Sequence, residues 1–530
     1  MRKNEFKKFL YSCVIIAMAS LFVFACGGGG GSSSGGGVLT GTISISGAVK
    51  AGEQITAVIS ADTNGTGAPV YTWERINIGT TIDVGTDAAT LLLKDDDIGG
   101  LIRVTVSYID YIGSLTCETA DNVAPNKQGT GQSGDPLLVY SVTSLQKIGT
   151  EEVGVGNWSF SAHYEQIVDI DLSSVENWEP IGNNSTNFTG SYDGNNKKIF
   201  SLTINSNNDY QGLFGCIGGD GTNTGSVKNI GLEDVTINGR AVVGGVVGYN
   251  TGKVENCYTT GAVNGVGSTN IFVGGVVGWN DGTVSNCYVT SDVGGAGNDV
   301  GGVVGRNSGT VSNCYATGDV EGTGNVGGVV GENNRGTVSN CYAKGYVNGN
   351  SNVGGVVGGN FGDGSTVSNC YATGDVEGRI RVGGVVGSND IDGEVSNCYA
   401  TGDVEGEQFV GGVLGGNNTG KVENCVALGA SVTGSSNIGR VVGNHSGGTL
   451  SNNYACSNMN GTWTDKGNDK INGADLASTN YYDVTWWTGT AKWLVGIANT
   501  DVWNAPSSNR LPTLKNMPGD REQNPAVKTE

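Results

Sequence analysis

One block of six residues, Val-Gly-Gly-Val-Val-Gly, recurs along this chain at a nearly constant interval. Its first six copies are identical, and the last two read VGGVLG and IGRVVG. The copies begin at Val243, Val273, Val300, Val326, Val353, Val382, Val410 and Ile438. Successive copies are 26 to 30 residues apart. A period of this length predicts a stacked array, because a single unit cannot bury its apolar face without its neighbours.

The composition of the repeat selects β-structure. Each unit holds two short β-prone stretches, a turn and a Gly-rich return, with no helical period. The chain has 93 Gly but only 8 Pro, and it lacks the glycine at every third position that collagen requires. We therefore predict an all-β chain: a parallel β-helix (β-solenoid) of about 28-residue coils, stacked about 4.8 Å apart and preceded by a small β-sandwich.

The paired valines of each block, such as Val246 and Val247, place a limit on the strand path. Neighbouring side chains on a straight strand point to opposite faces, so both valines cannot enter the core. We expect one to line the core, while the other faces outward or lies beside a bend at the Gly pair.

Two columns of asparagine follow the period. We predict that they form structural ladders, in which amides bond to backbone at turns and to each other between coils; a polar binding stripe is the alternative. The first column is Asn250, Asn280, Asn307, Asn333, Asn360, Asn389 and Asn417, with Asn444 one position early in the last copy. The second is Asn256, Asn286, Asn313, Asn340, Asn369, Asn397, Asn424 and Asn452.

A cysteine column and a tyrosine column come next. The cysteines are Cys257, Cys287, Cys314, Cys341, Cys370, Cys398 and Cys425, with Asn453 in the last copy. Their spacing matches no zinc motif, and seven thiols cannot all pair, so we favour buried thiols over disulfides between coils. The residue after each of the first six cysteines is a tyrosine, which predicts an aromatic stack: Tyr258, Tyr288, Tyr315, Tyr342, Tyr371 and Tyr399.

Acidic residues form a broken column. Asp292, Asp319, Asp375 and Asp403 share one position, interrupted at Ala262 and Tyr346. Like charges one coil apart repel, and a cation would relieve this repulsion. The best calcium candidate is the group Asp375, Glu377, Asp403 and Glu405. A solvated charged edge is the simpler interpretation, and we predict no cofactor.

The front of the chain resembles a bacterial lipoprotein signal. Residues 1–26 combine a basic start with a short apolar stretch that ends at Phe24-Ala25-Cys26, and residues 27–37 form a Gly/Ser tether. The resemblance implies that Cys26 carries the lipid, so that the membrane is a partner through this anchor. The absence of Asp after Cys26 implies the outer membrane or cell surface of a bacterium.

Residues 38–125 alternate in short strands separated by turns, which predicts a β-sandwich. The segment resembles bacterial immunoglobulin-like surface modules in Gly52, in Tyr71 and Trp73, and in Asp97-Ile98-Gly99. Trp73 should fill its core. Cys117 is the one cysteine of this segment, so the antibody-type disulfide is not expected.

The remaining boundaries follow composition. We assign a linker to 126–136, an N-terminal cap and first coils to 137–208, the repeats to 209–456, a cap to 457–516 and a loose tail to 517–530. Five of the nine tryptophans lie in the cap: Trp463, Trp486, Trp487, Trp493 and Trp503. Large aromatic side chains suit a plug over the last coil.

The repeats are similar to the GLUG motif of bacterial surface proteins. The resemblance rests on the VGGVVG blocks, on the Asn-Cys-Tyr-Ala-Thr-Gly-x-Val segments, and on upstream landmarks such as Pro180-Ile181-Gly182 and Tyr192-Asp193-Gly194. It spans about residues 137–514 and implies a β-helical, surface-displayed, adhesin-like stalk. The motif also occurs in immunoglobulin A-cleaving metallopeptidases, but no catalytic residue belongs to it.

The expected function is a lipid-anchored, surface-exposed protein with a structural or adhesive role. The alternative is a carbohydrate-binding module, with Tyr249 and Trp279 as ligand contacts in a column that varies between copies; a polysaccharide-degrading enzyme ranks below it. We expect that the chain is not an enzyme. The HExxH motif of zinc metallopeptidases is absent, and His163 and His445 are the only histidines. Partners would be an extracellular protein or a glycan, and the formal charge of −21 argues against nucleic acid.

Overall fold

The computed structural model describes residues 37–150, 158–219, 225–267, 271–496, 501–519 and 523–527. The chain divides into two compact units, Met1–Gln128 and Gly129–Glu530. The signal segment with Cys26, and all of the tether except Gly37, lie outside the described residues.

The first unit holds two antiparallel sheets around one hydrophobic core. The three-stranded sheet is Ile43–Ser46, Gln54–Ile59 and Thr90–Leu92, and the four-stranded sheet is Thr80–Thr86, Pro69–Asn77, Leu101–Tyr108 and Leu115–Glu118. Gly37–Val38 pairs with Tyr111–Ile112, and Asp95–Asp97 is a 3-10 turn. Trp73 is fully buried between the sheets, and its indole N–H donates to the Ala88 carbonyl at 2.8 Å.

The second unit is a β-solenoid of about 11 turns. Three parallel sheets run along it, and we name the first two after their sequences. The VGG sheet is Val242–Gly244, Phe272–Gly274, Asp299–Gly301, Asn325–Gly327, Ser351–Gly354, Ile380–Gly383, Gln408–Gly411 and Ser436–Gly439. The VVG sheet is Phe214–Ile217, Val247–Asn250, Val277–Asn280, Val304–Asn307, Val330–Asn334, Val357–Phe361, Val386–Asn389, Leu414–Asn417 and Val442–His445.

The third, which we call the long sheet, covers the rest of each coil with 29 strands. Its strands up to the third full repeat are Leu137–Val139, His163–Gln166, Ile170–Asp171, Ser191–Phe200, Thr203–Asn205, Ser226–Gly239, Lys253–Glu255, Tyr258–Gly265, Thr283–Ser285, Tyr288–Val289, Asp292–Gly295, Thr310–Ser312, Tyr315–Ala316 and Val320–Glu321. The others are Thr337–Ser339, Tyr342–Ala343, Val347–Asn348, Thr366–Ser368, Tyr371–Ala372, Val376–Glu377, Glu394–Ser396, Tyr399–Ala400, Val404–Glu405, Lys421–Glu423, Val426–Ala427, Val432–Thr433, Thr449–Ser451, Tyr454–Cys456 and Ala474–Leu476.

Equivalent residues of consecutive copies pair directly across the coils. Val243 pairs with Val273, and Val273 pairs with Val300, and the same register continues to Ile438. The predicted all-β solenoid of about 28-residue coils is therefore confirmed. Helical structure in the described residues is confined to short segments: Val142–Gln146, the 3-10 turns Asp95–Asp97 and Ser478–Asn480, and a π-helical turn at Trp486–Thr490. None of them is long and apolar enough to cross a membrane.

A bend between the VGG and VVG strands brings both valines of the pair inside. Val246 lies in the bend and Val247 begins the next strand, and both are fully buried. Their two N–H groups donate to one carbonyl of the next coil, that of Val276, each at 3.0 Å. Of the two alternatives for the second valine, the structure shows the bend at the Gly pair and not an outward-facing side chain. Because the chain is not straight there, both valines line the core, which the expectation did not include.

Glycine at the end of each block lets the two strands pack backbone against backbone. A Cβ atom at Gly278 would lie 2.7 Å from the Val243 nitrogen, and one at Gly305 would lie 2.5 Å from the Val273 nitrogen. No side chain fits in that space. The outward-facing residues on either side of this contact are consequently drawn together.

The C-terminal segment closes the last coil and then returns along the side of the rod. The Val441 and Val442 amides both donate to the Ile471 carbonyl, and Ala474–Leu476 pairs with Tyr454–Cys456. The described residues of the segment 486–527 (486–496, 501–519 and 523–527), which we call the strap, then run back over the tyrosine column. Within the strap, Trp503–Asn504 pairs with Thr513–Leu514. Most of the predicted tryptophan plug thus covers a side face and not the end of the rod.

Candidate functional site

Two columns of outward-facing residues meet along the bend and form a strip that differs from coil to coil. We call it the variable strip. One column follows each block: Tyr249, Trp279, Arg306, Glu332, Gly359, Ser388, Gly416 and Asn444. The other directly precedes the first residue of each block: Val242, Phe272, Asp299, Asn325, Asn352, Arg381, Phe409 and Asn437. The aromatic rings of Phe272 and Trp279 lie 5.5 Å apart, which shows that the columns touch.

Tyr249 and Trp279, the predicted ligand contacts, are neighbours in this strip. Their ring centroids are 5.0 Å apart and both side chains are half-buried. One carboxylate holds both rings: the Tyr249 hydroxyl donates to Asp281 at 2.7 Å and the Trp279 indole N–H donates to it at 2.8 Å. Burial, together with the hydrogen bond to Asp281, raises the pKa of Tyr249. Tyr210 extends the aromatic run, 6.2 Å from Tyr249.

A charged cluster adjoins the aromatic residues on the following coils. The Arg306 guanidinium lies 5.2 Å from the Phe272 ring centroid and 5.7 Å from that of Trp279, and it forms an ion pair with Glu332 at 3.1 Å. The Asn325 amide donates to Asp299 at 2.8 Å and to Glu332 at 3.0 Å. Burial of Asp299, followed by repulsion from Glu332, raises the pKa of Asp299 to about 7. Sequence reasoning missed this cluster, because its members come from both columns.

The first asparagine column lies inside the rod as a continuous hydrogen-bonded ladder. Each side-chain amide donates to the amide oxygen of the next copy at 2.6 to 2.9 Å. All seven, from Asn250 to Asn417, are fully buried. The ladder ends at His445, whose Nδ1 lies 3.1 Å from the Asn417 amide. Asn444 pairs with Gly416 in the variable strip and so is not the last member of the ladder.

The second asparagine column forms the tight corners. All eight residues from Asn256 to Asn452 have a φ between 53° and 56°, the left-handed region that few residues other than glycine and asparagine adopt readily. Their amides also bond between coils, as from Asn452 to Asn424 at 2.7 Å. The left-handed role therefore belongs to this column and not to the first.

The seven column cysteines are fully buried thiols. Each Sγ–H donates to a backbone carbonyl two residues earlier, as Cys314 does to Ser312 at 3.1 Å. Burial raises the pKa of the Cys257, Cys287 and Cys314 thiols. Asn453 continues the column with an amide that bonds to the Cys425 nitrogen at 3.0 Å and to the Val422 carbonyl at 2.9 Å.

The acidic column has a backbone partner at each described step. An Asp375 oxygen accepts the Asp403 N–H at 2.7 Å, and an Asp403 oxygen accepts the Ser431 N–H at 2.8 Å. The Tyr346 hydroxyl donates to Glu377. The described residues contain no group of three or more acids, cysteines or histidines placed to hold a metal. The structure therefore does not assemble Asp375, Glu377, Asp403 and Glu405 into a calcium site.

The tyrosine column is a stack, and the strap covers most of it. Consecutive rings from Tyr258 to Tyr399 lie 4.7 to 5.1 Å apart and within 6° of parallel. Trp503 packs on Tyr399 at 5.8 Å and on Tyr371 at 6.2 Å. The Tyr399 hydroxyl donates to the Pro512 carbonyl at 2.8 Å. At the far end of the strap, Pro518 and Gly519 border a cavity of about 310 Å³ beside Tyr258 and Tyr288.

A buried arginine ends the array. Arg440 replaces the third residue of the block, which is glycine in every earlier copy, and its side chain is fully buried. It donates to Asp475 at 2.7 Å and to the Asn472, Gly473 and Cys456 carbonyls at 2.9 to 3.2 Å. The irregular IGRVVG sequence was the available signal for this role.

Comparison with known proteins supports the repeat assignment. The sequence profile of the GLUG motif matches five segments: residues 239–264, 270–294, 296–321, 349–377 and 378–405. These matches confirm the predicted GLUG repeats. They cover a smaller part of the chain than residues 137–514, the span that the resemblance suggested.

Two curated relatives match parts of the chain. Halomucin from Haloquadratum walsbyi is 32% identical over 163 residues, and a protein provisionally named Gly-rich membrane protein, from Evansella cellulosilytica, is 34% identical over 137 residues. The matches cover 29% and 24% of this chain. They span only 2% and 15% of the relatives' own lengths.

Two solved structures overturn the expectation that the chain is not an enzyme. One is provisionally named an immunoglobulin A1 protease, from Bacteroides ovatus; it is 18% identical, has a TM-score of 0.29, and the match covers 73% of this chain and 95% of that one. The other, an IgA1 protease, is 13% identical with a TM-score of 0.31, over 77% and 30% of the two chains.

Because the solved structures similar to this chain bear protease names, we withdraw that expectation. Likeness at these TM-scores assigns no activity to this chain. What the comparisons establish is the repeat: the chain is a β-solenoid that carries GLUG motif repeats.

Proposed function

We propose that this protein is a structural rod of the bacterial cell surface, held to the outer membrane by a lipid on Cys26, with a role in contacts between the cell and its surroundings. The observation that carries the proposal is the unbroken solenoid, with one register from Val243 to Ile438. Every coil in this range bonds to the next through backbone and buried amides, an arrangement that resists bending and local opening.

The relatives support an envelope location. One of them bears the name of a Gly-rich membrane protein. The sequence of residues 1–26 is of the kind that directs export and lipid attachment. The two-sheet unit within residues 38–125 would serve as an immunoglobulin-like spacer between the anchor and the rod.

Surface proteolysis of intact cells tests the location. Cells expressing the protein are treated with a protease that cannot cross the outer membrane, and the chain is followed by immunoblot. We expect the protein to be lost from intact cells, or to be cut between the two units. A chain that is untouched on intact cells but degraded after lysis lies inside the envelope, and that result would exclude the proposed role.

Metabolic labelling tests the anchor. Cells fed a radiolabelled or alkyne-bearing fatty acid should label the wild-type chain but not Cys26→Ala. The matched control is Cys13→Ala, which alters the other cysteine of the leader and should leave labelling unchanged. Equal labelling of wild type and Cys26→Ala would place the lipid elsewhere.

A further inference from the structure

The repeat separates a constant scaffold from a variable surface. The inward valines, both asparagine columns and the cysteines recur almost unchanged, whereas the variable strip carries aromatic, basic, acidic and small residues on successive coils. In repeat proteins the scaffold positions hold the stack together, and ligand contacts lie on the outward positions of one face. The variable strip is where this chain differs from coil to coil.

The aromatic part of the strip is already held in place. Asp281 accepts both the Tyr249 hydroxyl and the Trp279 indole N–H, so the polar edges of the rings are satisfied and their orientations are fixed. Phe272, which is 8% exposed, supports Trp279 from the neighbouring strand. A ligand that stacks on these rings would find them ordered, so that little conformational entropy is lost on binding.

The next two coils supply hydrogen-bonding groups in line with the rings. Arg306 and Glu332 occupy the positions after Trp279 in the same column. They neutralise one another, and Asn325 bridges Glu332 to the buried Asp299. The cluster therefore presents both donors and acceptors with little net charge, which suits hydroxyl groups better than it suits an ionic ligand.

A peptide would gain less at this surface. The strands that carry Tyr249 and Trp279 are hydrogen-bonded to a neighbour on both sides, so they offer no open sheet edge for strand addition. Consecutive members of the column stand about 4.8 Å apart, which suits a linear ligand that repeats rings and hydroxyl groups along its length.

The geometry points to an oligosaccharide-binding site in the variable strip. A neutral sugar chain would stack on Tyr249 and Trp279, and would bond through its hydroxyl groups to Arg306, Asn325 and Glu332. The inference rests on the proposed surface location for its biological meaning, whereas the binding itself is a property of the purified chain.

A glycan array followed by titration calorimetry tests the site. The purified full-length protein is applied to an array of neutral and acidic oligosaccharides, and the strongest neutral ligand is then titrated in solution. We expect Trp279→Ala to weaken binding at least tenfold, since loss of one aromatic stacking contact removes about 1.4 kcal/mol or more. Tyr249→Ala should act in the same direction, and Tyr249→Phe, which keeps the ring, should bind within about threefold of wild type.

Phe409→Ala is the matched control. Phe409 belongs to the same column as Phe272, but it lies five coils further along the rod. Its loss should leave binding unchanged, and thermal unfolding of each variant shows that the solenoid is intact. The inference is overturned if wild type binds no neutral oligosaccharide, if both Trp279→Ala and Tyr249→Ala bind as wild type, or if Phe409→Ala weakens binding equally. Surface proteolysis of cells is unaffected by any of these outcomes, so failure of the site and failure of the surface role can be distinguished.

Discussion

The side-chain amide of Asn307 donates to the amide oxygen of Asn333 across 2.7 Å, inside a rod from which water is excluded. The same Asn307 nitrogen also donates to the Gly309 carbonyl at 3.1 Å, which fixes the turn of its own coil. One amide thus joins the corner of its coil to the coil that follows. Since each link in the ladder depends on the next, removal of one member leaves two others incompletely bonded.

Asn333→Ala should destabilise the solenoid strongly. The change removes the donor to the Gly336 carbonyl and to the Asn360 oxygen, and the acceptor for Asn307, all in a buried site. Buried groups left without hydrogen bonds should lower the free energy of unfolding by about 2–4 kcal/mol. Urea unfolding followed by circular dichroism measures the shift. Asn350→Ala, at an exposed position nearby, should shift stability by less than about 0.5 kcal/mol; equal effects of the two changes would argue against the ladder as a source of stability.

Substitution of Asn313 tests the corner conformation. Its φ of 54° costs a residue with a β-branched side chain about 2 kcal/mol, whereas glycine adopts this region without steric strain. We expect Asn313→Gly to be less destabilising than Asn313→Ala, and Asn313→Val to be the most destabilising, as measured by thermal unfolding. A valine variant as stable as the glycine variant would show that backbone conformation does not limit this corner.

The cysteine column should be chemically inert until the rod unfolds. Burial raises the pKa of thiols such as Cys314 and removes them from reagents, so the reactive thiolate is scarce. Alkylation without reductant, followed by peptide mass mapping, should leave the seven column cysteines unmodified in the native protein. The same treatment in guanidinium chloride should modify all seven. Cysteines that resist alkylation even in the unfolded chain would indicate disulfides between coils.

Loss of Trp503 should detach the strap. The side chain is fully buried and packs against Tyr371, Tyr399 and Trp493. Truncation of a buried tryptophan costs about 3–5 kcal/mol, which should open the strap before the coils themselves. Limited proteolysis of Trp503→Ala should therefore release a C-terminal fragment much faster than proteolysis of wild type. Leu494→Ala, at a side chain that is 62% exposed, is the control and should be cut at the wild-type rate.

Asp299 should make stability fall as the pH rises. Its pKa in the folded chain is raised to about 7, above the ordinary aspartate value of 3.8, because the carboxyl is buried and faces Glu332. Between these two values the folded state holds the proton more tightly than the unfolded state does, so folding is favoured at the acidic end of the window and the advantage is lost by about pH 7. Arg306 and Asn325 also contact this cluster and temper the effect.

Urea midpoints of wild type and Asp299→Asn between pH 4.5 and 8, values chosen to bracket that window, measure this contribution. Asparagine is acceptable here, because Asn325 holds the equivalent position in the next copy. The variant should lose part of the decline in stability seen for wild type, whereas Glu321→Gln, at an exposed position, should keep it. Parallel curves for wild type and Asp299→Asn would show that Asp299 titrates normally.

The sequence predicted the scaffold because the information for stacking is local and repeated. A valine, an asparagine or a cysteine at the same place in every unit can only form a column when units stack in register, so the period of the VGGVVG block was enough to define the coil. The position of the second valine of each pair was left with two alternatives, an outward-facing side chain or a bend at the Gly pair. The sequence shows that both valines cannot enter the core from a straight strand, but it does not show whether the chain bends.

Features that depend on contacts between unlike segments were not predictable in this way. Phe272 and Trp279 are seven residues apart, and nothing in the spacing shows that their columns face each other across a glycine contact. The strap contains no repeat, so its path over Tyr371 and Tyr399 is set by packing of tryptophan on an aromatic stack. Its four tryptophans, Trp486, Trp487, Trp493 and Trp503, indicated burial but not which surface they would cover.

Arg440 has a consequence for how long such a rod can become. At the equivalent place in earlier copies a Cβ atom would nearly touch the next coil, as at Gly412, where the Arg440 carbonyl would lie 2.2 Å away. An arginine is tolerated there only where no further copy arrives, and its guanidinium binds the three carbonyls and the carboxylate of the closing segment. A second molecule could add its own coil at this end only by breaking the hydrogen bonds of the Arg440 guanidinium. The buried cation would then be left without acceptors. The array thus carries its own stop signal, which keeps a self-complementary stack from growing into a fibre.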